Sequence, residues 1–200
     1  MKKTRIDNPA RPVYPSPAAL IVSADENGKS NIMTAGEVFN VSLRDPTIVG
    51  IALRKATYTH SLIVKTAEFT VNFPTAAIIE KVDAIGLISG RGGLDKFAEH
   101  SLTPLPSDEV VPAIVAECPV NLECKLLSVT DVGDHDLMLG EVVAMHVDSD
   151  KIDEKQALLV EKLDAFSYAE KGYYRFGEKL GVHGFSRNLE EISDRRNRKS

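Results

Sequence analysis

The chain has 200 residues, 43% of them hydrophobic, and a formal net charge of −5 at pH 7. That is enough apolar material for a sizeable core in one domain. The acidic balance, with no Lys/Arg stripe interleaved with aromatics, argues against a nucleic-acid surface, although an acidic chain can still carry a local basic pocket for phosphate.

Lys2 and Lys3 give a positive start, but Pro9, Pro12, Pro15 and Pro17 follow where a signal peptide would carry an apolar run. The apolar runs are too short to span a bilayer, so the expectation is a cytoplasmic protein with no membrane contact. Residues 7–17 read as extended. Residues 18–23 form an apolar strand, and Asp25-Glu-Asn-Gly-Lys29 a hairpin turn in which Asn27 and Gly28 both tolerate positive φ. Residues 31–35 are the returning strand, 38–43 another extended piece stopped by Asp45-Pro46, and 48–53 a β-branched strand. Thr57 or Thr59 can cap a helix through Val64. Residues 69–73 alternate as a strand. Thr75 can cap a helix with Ile78, Ile79, Val82 and Ile85 on one face, ending in a loop over 86–93, with a short helix over 95–99. Strands are predicted over 113–117, 119–130 and 137–147, the last two joined by the turn Gly133-Asp-His-Asp136, and a helix over 152–164. The domain is expected over 10–187, and 188–200 as a charged, solvated tail. Six or seven strands, joined mainly by hairpins with helices inserted, make a mainly β, α+β chain that fits a closed antiparallel barrel better than a parallel sheet.

Few residues announce chemistry one at a time. Ser89-Gly-Arg-Gly-Gly93 is a Gly-rich loop whose amides can approach a phosphate, with Arg91 adding charge. It lacks the order of a dinucleotide fingerprint or a P-loop, and alone it reads more readily as a flexible turn. Arg54-Lys55-Ala-Thr57-Tyr58-Thr59 leaves a strand and enters a helix; hydroxyls and two cations at a helix N-terminus suit phosphate, and equally suit a capped helix with solvated charges. Asn31-Ile-Met-Thr-Ala-Gly36 puts small and polar groups on a strand, where a flat ligand can lie against backbone, though an ordinary strand ending at a glycine bulge gives the same pattern. His135 sits between Asp134 and Asp136, which would favour its protonated ring, or it is a solvated turn histidine. The five histidines show no metal-ligand spacing, so no metal is assigned. Cys118 and Cys124 fit neither a disulfide framework nor a zinc site, and nothing places a base beside them.

Taken in order, these segments resemble the flavin reductase-like domain family, which includes flavoredoxins and short flavin or ferric reductases. The resemblance runs through Pro17-Ala-Ala-Leu-Ile-Val-Ser, Asn31-Ile-Met-Thr-Ala-Gly, Asp45-Pro46, Lys55 with Tyr58-Thr59, Phe69-Thr-Val-Asn72, Ser89-Gly90, Asp95-Lys96-Phe97, Glu123-Cys-Lys125, Gly133-Asp-His135 and Gly140-Glu-Val142, about residues 15–150. It implies an FMN-binding split barrel, usually a homodimer with flavin near the interface. It implies that Asn31, Met33, Thr34 and Ala35 line the isoalloxazine, that Lys55, Thr59, Ser89, Arg91 and Lys96 surround the ribityl phosphate, that Tyr58 and Gly90 belong to the same non-covalent FMN site, and that His135 lies where a nicotinamide cofactor docks. Lys55 and Lys96 are accordingly expected to matter for FMN affinity more than for the fold. Related sequences often carry an aromatic residue where this chain has Glu37, which bears on the charge of the pocket and the flavin potential; Tyr173-Tyr-Arg-Phe-Gly177 is a candidate source of replacement aromatics.

Three functions are carried forward. The first is an NAD(P)H-dependent flavin or ferric reductase in which FMN does the chemistry and no side chain is a nucleophile. The second is a non-catalytic FMN electron carrier serving a redox partner protein. The third is a flavin-free binding or structural split barrel.

Overall fold

The computed structural model describes residues 3–7 and 12–186. The predicted tail over 188–200 lies outside the described residues, as do residues 10 and 11 at the start of the predicted domain.

After a short β1 (Ser16–Pro17), β2 (Ala19–Ala24) is apolar at every position except Ser23 and is buried on both faces. A tight turn returns the chain as β3 (Ser30–Ala35). The Asp25 carboxylate organises that turn by accepting the amides of Asn27 and Lys29, each at 2.9 Å, and Gly28 alone of the Asn-Gly pair takes positive φ, at 81°. β4 (Val38–Leu43) and β5 (Thr47–Arg54) form the next hairpin, then α1 (Tyr58–Thr66) and β6 (Glu68–Phe73). A 3-10 turn leads into α2 (Ile79–Leu87), followed by α3 (Lys96–Glu99) and the paired short strands β7 (Pro104–Leu105) and β8 (Ile114–Val115). The long hairpin β9 (Val120–Asp131) and β10 (His135–Val147) precedes a small one, β11 (Phe166–Ala169) and β12 (Gly172–Arg175).

Seven strands form one antiparallel sheet in the order β3-β2-β6-β9-β10-β5-β4. Its two edge strands are consecutive in sequence, with only residues 36 and 37 between them. The sheet must therefore curl until its ends meet at that link, while no ladder joins β3 to β4 among the described residues. The result is the mainly β, antiparallel split barrel. A barrel of this kind needs apolar residues inside, and β2 supplies Ala19 and Ile21 there, against Ile51, Leu53, Phe69, Val71 and Met138. The other face of β2, through Leu20 and Val22, joins Ile32 under Val82 and Ile85 of α2 and Phe97 of α3. Burial on both sides explains a continuous apolar strand, each fully buried large side chain contributing about 1.5–3 kcal/mol. Gly140 leaves the space that the Phe69 ring fills, since a Cβ there would sit 2.4 Å from Phe69 Cζ.

Three elements depart from the sequence-based expectation. The predicted helix over 152–164 is instead a loop with 3-10 turns at Ser149–Lys151 and Val160–Lys162 and a bridge between Ile152 and Leu158. Asp153 explains this: its carboxylate accepts the amides of Lys155 and Ala157, each at 2.8 Å, and Gln156 adopts φ of 61°. A side chain that captures nearby amides competes directly with helix formation. The strand predicted over 113–117 is reduced to β8. The hairpin β11–β12 had no clear sequence signal; it turns on Glu170 and Lys171 at positive φ and packs Tyr173 against Phe166 and Tyr168, with ring centroids 5.8 and 5.3 Å apart.

Two buried charges fix irregular segments to this frame. The fully buried Glu123 carboxylate on β9 accepts the amides of Asp108, Glu109 and Val110 at 2.9, 2.7 and 3.2 Å, and pairs with His146 Nε2 at 2.6 Å. Although Asp108, Glu123 and His146 offer donor atoms within 4.8 Å of one another, both Glu123 oxygens are already engaged, so the cluster reads as a loop anchor. Burial alone would raise the Glu123 carboxyl, but these amides and His146 outweigh it and hold the group below its ordinary value. Lys96, only 4% exposed, lies beneath the end of α2 and donates to the carbonyls of Ile85 and Ile88 at 3.2 and 3.0 Å. Burial pushes its amine down to about 8, so it remains largely an ammonium at neutral pH, suited to the negative end of a helix.

Two measurements test these anchors. A lowered folded pKa means that Glu123 stabilises the fold above the ordinary glutamate pKa of about 4.3, and that this is lost as pH falls through the folded value. Glu123→Gln should therefore unfold about 1–3 kcal/mol more easily than wild type in urea at pH 7, with the gap closing below roughly pH 4; a gap independent of pH would show that the charge is not what matters. Lys96→Met keeps the apolar stem and removes the two carbonyl contacts, and it should cost roughly 1–3 kcal/mol of stability without any ligand present. That outcome revises the expectation that Lys96 matters little for the fold; an unchanged melting temperature would restore it.

Candidate functional site

The site is built where the seam of the barrel meets the N-terminus of α1. Because β3 is an edge strand, it pairs with β2 on one side only. Alternate backbone N–H and C=O groups of such a strand point outward and are available to a ligand. Its side chains alternate as well. Met33 and Ala35 pack toward the barrel interior, while Ile32 packs under α2 and Thr34 donates from Oγ1 to the Val82 carbonyl of α2 at 2.5 Å. The four predicted isoalloxazine residues Asn31, Met33, Thr34 and Ala35 thus share an edge but present side chains to two different faces. What they offer one flat ligand in common is backbone.

Asn31 links this edge to α1. Its Nδ2 donates to Thr59 Oγ1 at 2.8 Å, and its Oδ1, although the residue is only 9% exposed, has no hydrogen-bond partner among the described residues. Gly90 sits directly against that oxygen: a Cβ at Gly90 would lie 2.1 Å from Asn31 Oδ1 and 3.6 Å from Tyr58 Cδ1. A glycine is required here by close approach. Helix α1 starts because Thr57 takes an extended conformation and caps it, its hydroxyl accepting the His60 amide at 3.3 Å. The first turn contains no acidic residue, and its free amides form a favourable place for an anion. From the glycine loop, Arg91 reaches across to the Ala56 carbonyl at 3.3 Å, its own amide resting on Ser89 Oγ at 3.3 Å. The structure therefore brings Asn31, Tyr58, Thr59, Ser89, Gly90 and Arg91 to one place. Lys96 is beneath this group, holding the end of α2 from which the loop springs.

Lys55 and His135 form a second group at the same end of the barrel. His135 opens β10 opposite Arg54, its Nδ1 2.8 Å from Asp134 Oδ1. Asp136, expected to act on His135, points the other way, as strand alternation demands, and pairs with His60 Nε2 at 2.7 Å. Lys55 Nζ lies 2.5 Å from Asp131 Oδ2 and 3.5 Å from Asp136 Oδ1. Its ammonium is held above its ordinary value chiefly by the Asp131 hydrogen bond.

Beside Thr34 and Gly36 is a cleft of about 270 Å³, closed by Asp83 and Gly86 of α2 and by Tyr168 and Tyr173 of the small hairpin. Tyr173 donates its hydroxyl to Asp83 at 2.8 Å, and burial, with that contact, pushes its phenol pKa up. Tyr168 also borders a smaller hollow of about 160 Å³ that includes Glu37. Sequence reasoning missed His60, Asp83, Asp131 and Tyr168. Tyr173 lay inside the aromatic segment singled out in the sequence, and the hairpin carries it and Tyr168 to the cleft. No short-range signal links Asp83 to Tyr173 or His60 to Asp136, since these pairs are 90 and 76 residues apart.

Comparison with known proteins agrees with this architecture. The flavin reductase like domain family matches residues 11–176. An NADH:riboflavin 5'-phosphate oxidoreductase of Streptomyces pristinaespiralis is 31% identical over 153 residues, covering 70% of this chain and 82% of the relative. The flavoredoxin of Desulfovibrio vulgaris (Miyazaki F) superposes with a TM-score of 0.83 at 31% identity, covering 93% of this chain and 98% of that one. A flavoredoxin from Methanosarcina acetivorans gives the same TM-score at 25% identity, covering 93% and 97%. In the described residues no helix is long and apolar enough to cross a membrane. With the family match spanning most of its length and the seam, glycine loop and helix start assembled at one end, the chain belongs to the flavin reductase like domain family.

Proposed function

We propose that this protein binds FMN non-covalently and, with NAD(P)H as donor, passes electrons to a small-molecule acceptor such as a flavin or ferric chelate. The observation that carries the reading is the free outer edge of β3 meeting, at Asn31, a glycine loop and an acid-free helix start. The outward backbone of β3 suits the polar rim of a heteroaromatic ring. The first-turn amides of α1, with Thr59, Ser89 and Arg91, suit a phosphate. FMN supplies the hydride-accepting chemistry at its N5; the chain's part is to hold and orient it and to limit water. His135, beside Asp134 at the rim, is placed in this reading to meet the nicotinamide donor. The likeness to two flavoredoxins supports a second reading, an FMN carrier that exchanges electrons with a redox partner protein.

We further propose a homodimer. Strand β4 is the other edge of the sheet and exposes Phe39, Val41 and Leu43, the last at 74%. Phe39 lies across Gly50 in register with Leu139, making an apolar outer surface on strands β4, β5 and β10. Uncovered edge strands with apolar side chains are association surfaces, and a second copy presents the self-complementary patch that a two-fold contact needs.

Purified protein given FMN should acquire a flavin absorption spectrum that bleaches on anaerobic addition of NADH or NADPH. A spectrum that forms but does not bleach with either donor supports the carrier; a protein that takes up no FMN contradicts both. In sedimentation at micromolar concentration the wild type should be a dimer, and Val41→Glu a folded monomer; a wild-type monomer that retains flavin would contradict the dimer.

A further inference from the structure

We propose that Asp131 limits how tightly the protein holds a flavin phosphate by competing for Lys55, so that flavin is exchanged rather than retained. The inference rests on the FMN reading above and concerns a residue that reading does not use. Lys55 lies between the end of β5 and Thr57, the cap of α1. Its ammonium is turned toward the β9–β10 hairpin, where it meets two carboxylates of different character. Asp136 has a side chain only 12% exposed and is locked to His60. Asp131 is 70% exposed at the hairpin tip, oriented by the Gly133 amide at 3.0 Å, and makes the closer contact with Lys55. Asp136 therefore has a permanent partner under α1, and Asp131 has Lys55.

A phosphate at the start of α1 would lie among first-turn amides and Arg91, whose guanidinium is already on Ala56, the residue after Lys55. Lys55 is 44% exposed and sits on a long flexible stem, so it is the cation free to swing to that phosphate. Doing so requires leaving Asp131. With Lys55 drawn to the phosphate the ion pair with Asp131 is lost, so the two uses of this one ammonium exclude each other. That competition weakens the hold on a dianionic ligand and leaves its uncharged analogue unaffected. Exposed ion pairs are weak and screened by salt, so the effect is modest: about two- to fivefold in affinity at low ionic strength.

The test is a fluorescence titration of FMN and of riboflavin, which lacks the phosphate, into wild type, Asp131→Asn, Lys55→Ala and the double variant. Asparagine keeps an oxygen for the Gly133 amide, and thermal melts report whether each variant is folded. Asp131→Asn should bind FMN about two- to fivefold more tightly and riboflavin no differently, with faster FMN release in wild type. The gain should shrink in the Lys55→Ala background and in 0.5 M salt. An unchanged FMN affinity in folded Asp131→Asn, an equal change for riboflavin, or a full gain without Lys55 would each overturn the inference and leave the FMN reading standing. A wild type that binds neither flavin would overturn that reading, and this inference with it.

Discussion

Strands β3 and β4 are separated by two residues and yet stand at opposite edges of a seven-stranded sheet. That constraint forces the sheet to curl until its two edges come together at the link, and beyond it no ladder joins them among the described residues. A closed barrel has no free backbone; here, among the described residues, no strand pairs with the outer edge of β3. An unpaired edge is ordinarily a liability, exposed to aggregation, and must be covered. Here helix α2 and the hairpin β11–β12 stand over part of it and leave a cleft, so the edge faces a shaped space.

The rest of the arrangement fixes what surrounds that edge. Helix α1 is the junction. Through Thr59 it meets Asn31 on β3, through the Ala56 carbonyl before it the glycine loop, and through His60 the hairpin that carries His135. Three segments distant in sequence are thereby held to one helix start. Lys96 holds the end of α2 and so the base of the glycine loop. In this view the two lysines predicted as equivalent phosphate cations differ in kind: Lys96 is buried among carbonyls and supports the site from below, whereas Lys55 stands at the rim in ion pairs with the hairpin. Burial alone separates them.

The sequence made regular elements legible where one force dominated. The apolar run of β2 and the helical spacing of Val82 and Ile85 report burial, and the structure buries them; the alternation in β6 marks a half-buried strand, but Thr70 and Asn72 on its polar face are buried too. The helix expected over 152–164 failed because Leu158, Leu159 and Leu163 suggested periodicity while Asp153 captured the local amides. The candidate site was legible as a set of segments, Asn31 to Gly36, Lys55 to Thr59 and Ser89 to Gly93, because each carries small or polar residues where strands and helices begin or end. Its wiring was not. Glu123 with the amides of 108–110 and Asp136 with His60 arise only when a loop and a helix pack on the sheet, and no local rule links such residues. Neighbouring residues on a strand face opposite ways, which is why Asp136 serves His60 and leaves His135 to Asp134.

The central claim is that one ligand uses the free edge of β3 for its ring and the start of α1 for its phosphate. Backbone amide resonances report both places separately. In a nitrogen–proton correlation spectrum, FMN should shift the amides of β3 together with those of Tyr58, Thr59 and Gly90, while riboflavin should shift β3 and leave the α1 amides nearly in place. Shifts confined to another surface, or identical patterns for the two flavins, would contradict the account.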